Sequence, residues 1–298
     1  MVAPIKELKW AILGSEGQLG RAMSAELARS NCNFIALSHR QLDITNRKEV
    51  ESFFPRELPN VVLNAAAWTN VDLAESHEEE AQLINAYGPK LLAEMCAKFE
   101  AKFIHISTDY VFSGISNSPW AEDAELSPIS AYGRSKAAGE LSVLEVYPKG
   151  TYVVRTAWLY SPWGKNFVKT LLKFALEGSG NIEVVLDQVG QPTSAVDLAE
   201  HIQRMIVQNV SPGIYHGTNS GETSWYELAK RIFKLAGENP ERVIAAESTQ
   251  FLRPATRPAY SVLGKSRWEN EGLKAMQSWE MALDAAFPSI IQAIKRGE

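Results

Sequence analysis

Short apolar runs separated by longer amphipathic stretches set the pattern of this chain. Residues 9–13 (Lys-Trp-Ala-Ile-Leu) form the first run; glycines follow, and then apolar positions at Leu19, Met23, Leu27 and Ala28 recur at helical spacing. The pattern is strand, turn, helix. Further strand-like runs at Asn33–Leu37, Val61–Asn64, Lys102–Ile106 and Tyr152–Arg155 are each separated by enough chain for a crossover helix. That alternation predicts an α/β fold, a doubly wound parallel sheet with helices on both faces.

Helix signals fall between the runs. Thr45 or Asn46 caps one helix, and Ser76 precedes another that runs to about Lys98, with Leu83, Ile84, Tyr87, Leu91, Leu92 and Met95 as its apolar face. After about residue 157 the pattern loosens, with turn signals at 161–164, 178–180 and 190–192. Residues 195–208 read as a helix, and 213–217 as a strand that rejoins the first sheet. The expected division is a nucleotide-binding domain over 1–160, with a returning segment at about 190–218. A smaller, discontinuous substrate domain covers 161–189 and 219–298.

Composition narrows the function. A chain of 298 residues that is 45% hydrophobic and 22% charged can bury a large core, which excludes disorder. A net charge of -5 argues against a general grip on nucleic acid and leaves a small anionic substrate open. Cys32 and Cys96 are far apart and belong to no metal or redox motif, which suits a reducing compartment. Met1 to Trp10 lacks the apolar core of a signal peptide, and no apolar run reaches the roughly 18 residues that span a bilayer. The expectation is a cytoplasmic protein without membrane association. His39, His77, His105, His201 and His216 show no metal-ligand spacing, and no metal is expected.

Gly14-Ser15-Glu16-Gly17-Gln18-Leu19-Gly20 is a GxxGxxG turn between the first strand and helix. Glycine there allows positive φ and lets backbone N–H groups approach a diphosphate, so Gly14, Gly17, Gln18, Leu19 and Gly20 are candidate cofactor contacts. The second strand ends in Ser38-His39-Arg40, and an arginine at that place suits the 2′-phosphate of NADPH, with NADH the alternative. Asp43 and Ile44, just beyond, extend the candidate cofactor rim, as do the small residues Ala65, Ala66 and Ala67 after the third strand.

Tyr132 and Lys136 stand four residues apart in a helical stretch, 131–146, and so share one face. Carbonyl reduction needs a proton on oxygen as well as a hydride on carbon. A phenol is a slow acid at neutral pH unless a cation such as Lys136 stabilises its phenolate. Thr108 lies in the run Ser107-Thr108-Asp109-Tyr110 at the C-terminal end of the fourth strand, where ligands gather in such sheets. Its hydroxyl is the candidate for holding a substrate carbonyl.

These residues resemble the extended short-chain dehydrogenases, which carry a Rossmann sheet, and more narrowly the dTDP-4-dehydrorhamnose reductases. The resemblance runs nearly the whole chain. Beyond the glycine turn and the Tyr132/Lys136 pair, it rests on Asn64-Ala65-Ala66-Ala67, Ser107 to Phe112, Arg155-Thr156-Ala157-Trp158, Asp187-Gln188-x-Gly190-x-Pro192-Thr193 and Arg257-Pro258. It implies NADPH-dependent reduction of the 4-keto group of dTDP-4-dehydro-β-L-rhamnose, with Tyr132 as proton donor, Lys136 on the ribose and Thr108 on the keto oxygen. It further implies that Asp109, Trp158, Asn166, Gln188 and Arg257 contact the sugar nucleotide, Arg257 through the diphosphate. Some members dimerise around a magnesium ion held by glutamates; Glu16 stands in the glycine turn, but no complete ligand set is legible. Two other readings stay open: an epimerase or related reductase acting on a sugar nucleotide, and a non-catalytic subunit like the regulatory subunit of methionine adenosyltransferase.

Overall fold

A computed structural model describes residues 8–297, so most of the N-terminal stretch read for the absence of a leader lies outside the described residues. Five strands follow one another with helices between them: β1 Lys9–Leu13, β2 Asn33–Leu37, β3 Val61–Asn64, β4 Lys102–Thr108 and β5 Thr151–Thr156. The strand Gly213–His216 returns to pair with β5, Gly213 opposite Tyr152. All six are parallel, in the order Gly213–His216, β5, β4, β3, β1, β2. The chain reverses direction across the sheet between β1 and β3, and ligands bind at such a switch point, outside the carboxyl ends of the strands.

β3 and β5 are buried at every position, as strands covered on both faces must be. On one face, α1 (Gln18–Arg29) and the helix Ala195–Val207 pack Leu19, Met23, Leu198 and Ile202 over Trp10 and Ile12. On the other, Phe53, Phe54, Leu91, Leu92 and Val143 cover Ala11, Val62 and Phe103. A further core gathers Val168, Leu172, Leu228, Ile232, Phe233, Leu283 and Ile290 from helices that the loosened pattern after residue 157 had not revealed. Trp268, Leu273 and Met276 pack instead with the sheet.

The helix expected from Ser76 to about Lys98 is broken into Glu78–Gln82, a π-helical turn Leu83–Tyr87, and Gly88–Lys98. The wide turn shifts the register of the apolar face. Leu83 and Tyr87 are therefore exposed rather than packed, while Leu91, Leu92 and Met95 reach the core.

Candidate active site

The glycine turn closes β1 against the end of β3. Gly14 has φ of +74°, and a Cβ there would lie 2.6 Å from the Ala66 nitrogen, so both the conformation and the approach demand glycine. α1 then begins just after Gly17, whose place as its N-cap offers no side chain to the first-turn amides. An uncapped helix start beside a bare backbone wall is suited to a phosphate. Leu19 is buried in the sheet core, so only its backbone faces this turn. The Gln18 side chain is engaged elsewhere: it donates to the Leu159 carbonyl at 3.2 Å and accepts from Ser161 Oγ at 2.9 Å and Asn166 Nδ2 at 3.1 Å. At the end of β2, Arg40 is exposed, whereas the Asp43 carboxylate accepts from the Thr45 amide and hydroxyl and Ile44 is buried.

Ala65, Ala66 and Ala67 form a half-buried wall after β3. Its far end is clamped by Asn85, from the π-helical turn. Asn85 accepts from the Trp68 amide at 2.9 Å, and its Nδ2 donates to the Trp68 carbonyl and to Ser135 Oγ. Ser135 in turn donates to the Tyr132 carbonyl at 2.8 Å. Neither Asn85 nor Ser135 stood out in the sequence; a polar Asn amid the apolar positions Leu83, Ile84 and Tyr87 was the available signal.

The helix Ala131–Val146 starts on the Ser130 cap, whose Oγ accepts from the Gly133 amide at 3.1 Å. This start sets Tyr132 beside Thr108, the last residue of β4. Burial pushes the Tyr132 phenol up to about 12, with the Thr108 hydroxyl holding it down and the Asp109 carboxylate raising it. The lowering expected from Lys136 is not found. Its ammonium donates instead to the Ile106 carbonyl at 2.6 Å, and burial brings Lys136 down to about 8 against the opposing pull of Glu140. Glu140 is itself clamped by Arg155 at 2.7 Å, both side chains 1% exposed.

Thr108 Oγ1 donates to Asp109 Oδ1 at 3.0 Å and accepts from the Tyr110 amide at 3.2 Å. Asp109 is 2% exposed. Burial raises its carboxyl to about 6; the nearby Ser261 hydroxyl and Thr108 restrain the rise, but Oδ2 has no formed hydrogen bond.

Tyr110 packs edge-on to Tyr132, ring centres 5.6 Å apart, and also lines a cavity of about 670 Å³ with Phe167, Gln188, Trp225, Phe251 and Arg257. Of the residues expected to contact a sugar nucleotide, Gln188 and Arg257 thus lie on this wall. Trp158 stacks behind Trp225, ring centres 3.5 Å apart and 10° from coplanar, so Trp225 presents the aromatic surface there. The Asn166 side chain caps the helix Phe167–Glu177, accepting from the Lys169 amide at 3.0 Å, and its Nδ2 donates to Ser161 and Gln18. An Asn just ahead of an apolar helical run is a cap signal legible in sequence.

Arg257 makes a forked ion pair with Asp72, Nη1 to Oδ1 at 2.5 Å and Nη2 to Oδ2 at 2.7 Å. Asp72 belongs to the short helix Val71–Ala74 after the alanine wall. Its 185-residue separation from Arg257 hides the pair from any local pattern.

The chain is similar to known proteins along almost its entire length. A probable dTDP-4,6-dihydroxy-2-methyloxan-3-one 4-ketoreductase of Streptomyces antibioticus is 44% identical, covering 96% of this chain and 97% of the relative. A dTDP-4-dehydrorhamnose reductase of Streptomyces griseus is 41% identical over 97% of this chain and 96% of its own. The crystal structure of dTDP-4-dehydrorhamnose reductase from Bacillus anthracis in complex with NADP superposes with a TM-score of 0.90 at 36% identity, covering 94% of this chain and 99% of that one. The family described as the RmlD substrate binding domain matches residues 9–291, and with these relatives it establishes that the chain belongs to the dTDP-4-dehydrorhamnose reductase family of extended short-chain dehydrogenases.

Proposed function

We propose that this protein reduces the 4-keto group of dTDP-4-dehydro-β-L-rhamnose to the alcohol of dTDP-β-L-rhamnose, using NADPH. The observation that carries the reading is the gathering of Tyr132, Thr108 and Lys136 near the carboxyl end of β4, on the edge of the sheet where the glycine turn also lies, with Tyr110 joining the phenol to the large cavity. The relatives' names supply the substrate class: dTDP-linked keto sugars.

The residues present fit a dinucleotide. The Gly14–Ala66 approach leaves a flat backbone surface, the α1 amides suit a diphosphate, and Arg40 suits a 2′-phosphate. Lys136 would hold ribose hydroxyls. When bound, NADPH supplies a hydride to a carbonyl carbon.

The chain supplies the rest. The Thr108 hydroxyl donates a hydrogen bond to the keto oxygen in place of its present bond to Asp109, and so stabilises negative charge as it develops. The Tyr132 O–H bond breaks as an O–H bond forms on that oxygen, leaving a phenolate that the Lys136 ammonium stabilises on turning from the Ile106 carbonyl that it bonds in the free protein. Burial protects the phenol from early ionisation, so the acid form is present at neutral pH. We assign the sugar nucleotide to the side of the cavity built by residues 161–189 and 219–298, with Gln188 and Arg257 as contacts and Trp158 supporting Trp225. Asp109 holds the Thr108 side chain in place until the substrate oxygen takes over its hydrogen bond, and Asn166 fixes the start of the helix Phe167–Glu177.

Among the described residues no helix is long and apolar enough to cross a membrane, in keeping with a small-molecule enzyme of the cytoplasm. The test supplies dTDP-4-dehydrorhamnose, generated in situ, and follows NADPH absorbance. Oxidation of NADPH with formation of dTDP-rhamnose is expected; none, with the supplying enzymes active, would sink the proposal.

A further inference from the structure

Part of one wall of the large cavity, Arg253 to Arg257, is held from across the fold by the carboxylate of Asp72. Asp72 accepts from both terminal nitrogens of Arg257 and from the Ala255 amide at 3.2 Å, and Arg253 approaches it at 3.8 Å. Arg253, Ala255 and Arg257 line the cavity; Asp72 does not. Whatever Asp72 does for a ligand there, it does through the arginine.

A guanidinium carries five N–H donors arranged as two forks, one across the terminal nitrogens and one across Nε and the side of Nη2. Asp72 takes the first fork, and the second Nη1 hydrogen goes to the Ala255 carbonyl at 2.7 Å. The Tyr110 hydroxyl, on the same cavity wall, hydrogen-bonds the guanidinium as well, which leaves the donors of the other fork to be shared between Tyr110 and a ligand. A phosphate that displaces the Tyr110 hydroxyl can therefore be gripped in two-pronged fashion without displacing Asp72. The charged residues that line the cavity are Arg253, Arg257 and Glu183, two positive against one negative, so the lining itself carries one net positive charge.

We propose that Asp72 is a positioning residue for nucleoside-diphosphate substrates. It locks the end-on fork of Arg257 so that the side-on fork faces a substrate phosphate. Arg257 keeps the Asp72 carboxyl below its ordinary range, so the lock is charged at neutral pH. This inference rests on the cavity being the sugar-nucleotide site proposed above.

The full-length protein is compared with Asp72→Ala, Asp72→Asn and Asp72→Glu, using thymidine diphosphate, thymidine and NADPH as separate probes. Thymidine diphosphate should bind about tenfold more weakly to the Ala and Asn variants. The KM for the sugar nucleotide should rise in step while kcat stays near wild type, and thymidine and NADPH affinities should hold. Asp72→Glu should restore much of the loss. Adding Arg257→Ala to Asp72→Ala should cost little beyond Arg257→Ala alone, since both remove one unit. Unchanged thymidine diphosphate affinity in Asp72→Ala, or an equal loss for all three probes, would overturn the positioning role alone. Failure of the wild-type protein to bind thymidine diphosphate would overturn the cavity assignment as well.

Discussion

The Lys136 ammonium is tied to the Ile106 carbonyl at 2.6 Å, one turn along the helix from the phenol that it was expected to acidify. Burial lowers Lys136 to about 8 and raises Tyr132 to about 12, so the phenol is still protonated where the lysine has begun to lose its charge. The kcat/KM for reduction should accordingly be flat near neutrality and fall as pH rises through about 8, because the neutral amine stabilises no phenolate. A pH profile of kcat/KM checks this, and Lys136→Arg should move the alkaline limb upward. A profile that instead rises through that region would count against the assignment.

Tyr132→Phe removes the only proton proposed for the substrate oxygen while keeping the ring that packs against Tyr110. The expected loss in kcat is on the order of 10²–10⁴-fold, the usual worth of a positioned acid. NADPH affinity, measured by fluorescence titration, should be unchanged. Near-normal turnover would move the acid role to another group.

The sheet was legible because buried parallel strands read as short apolar runs, and all six were placed by that signal. That Thr108 ends a strand and that Tyr132 and Lys136 share a helix face was legible because strand ends and helix spacing are local features. The Asp72–Arg257 pair and the Asn85 clamp could not, since each joins segments that only the folded chain brings together. The π-helical turn at Leu83–Tyr87 escaped because a shift in hydrogen-bond register leaves the residue types unchanged.

Arg40 is exposed at the end of β2, within the stretch that follows the second strand of the dinucleotide fold. If it serves the 2′-phosphate of NADPH, Arg40→Ala should raise the KM for NADPH several-fold and leave that for NADH unaltered. Steady-state kinetics with both cofactors decide the matter. An equal change for the two would remove Arg40 from the site.

Asp109 is buried with one oxygen lacking a formed hydrogen bond, and its carboxyl is raised from 3.8 to about 6. Between those values the folded state holds more proton than the unfolded state, so this group's contribution to stability falls as pH rises through that window. Above it the buried charge opposes folding by an amount on the order of 3 kcal/mol. Asp109→Asn should therefore stabilise the protein at about pH 7 and do little at about pH 4, by denaturant unfolding. Destabilisation that is greater at neutral pH than in acid would refute the account.

Gly190 carries the final test, since it sits where the cavity wall is shaped rather than where chemistry occurs. A Cβ at this position would lie 2.5 Å from the Trp158 indole, whose movement is restricted by Trp225 stacked on it with centres 3.5 Å apart. Alanine must then push the tryptophan pair toward the cavity or pull Val189–Gly190 away from its pairing with Thr223–Ser224. Either movement alters the wall that Trp225 presents and leaves the glycine turn and Tyr132 in place. Gly190→Ala should raise the KM for the sugar nucleotide and change tryptophan fluorescence, while NADPH affinity stays as in the wild-type protein. An unchanged KM together with an altered fluorescence spectrum would show that the Trp158–Trp225 stack moves freely without touching the substrate.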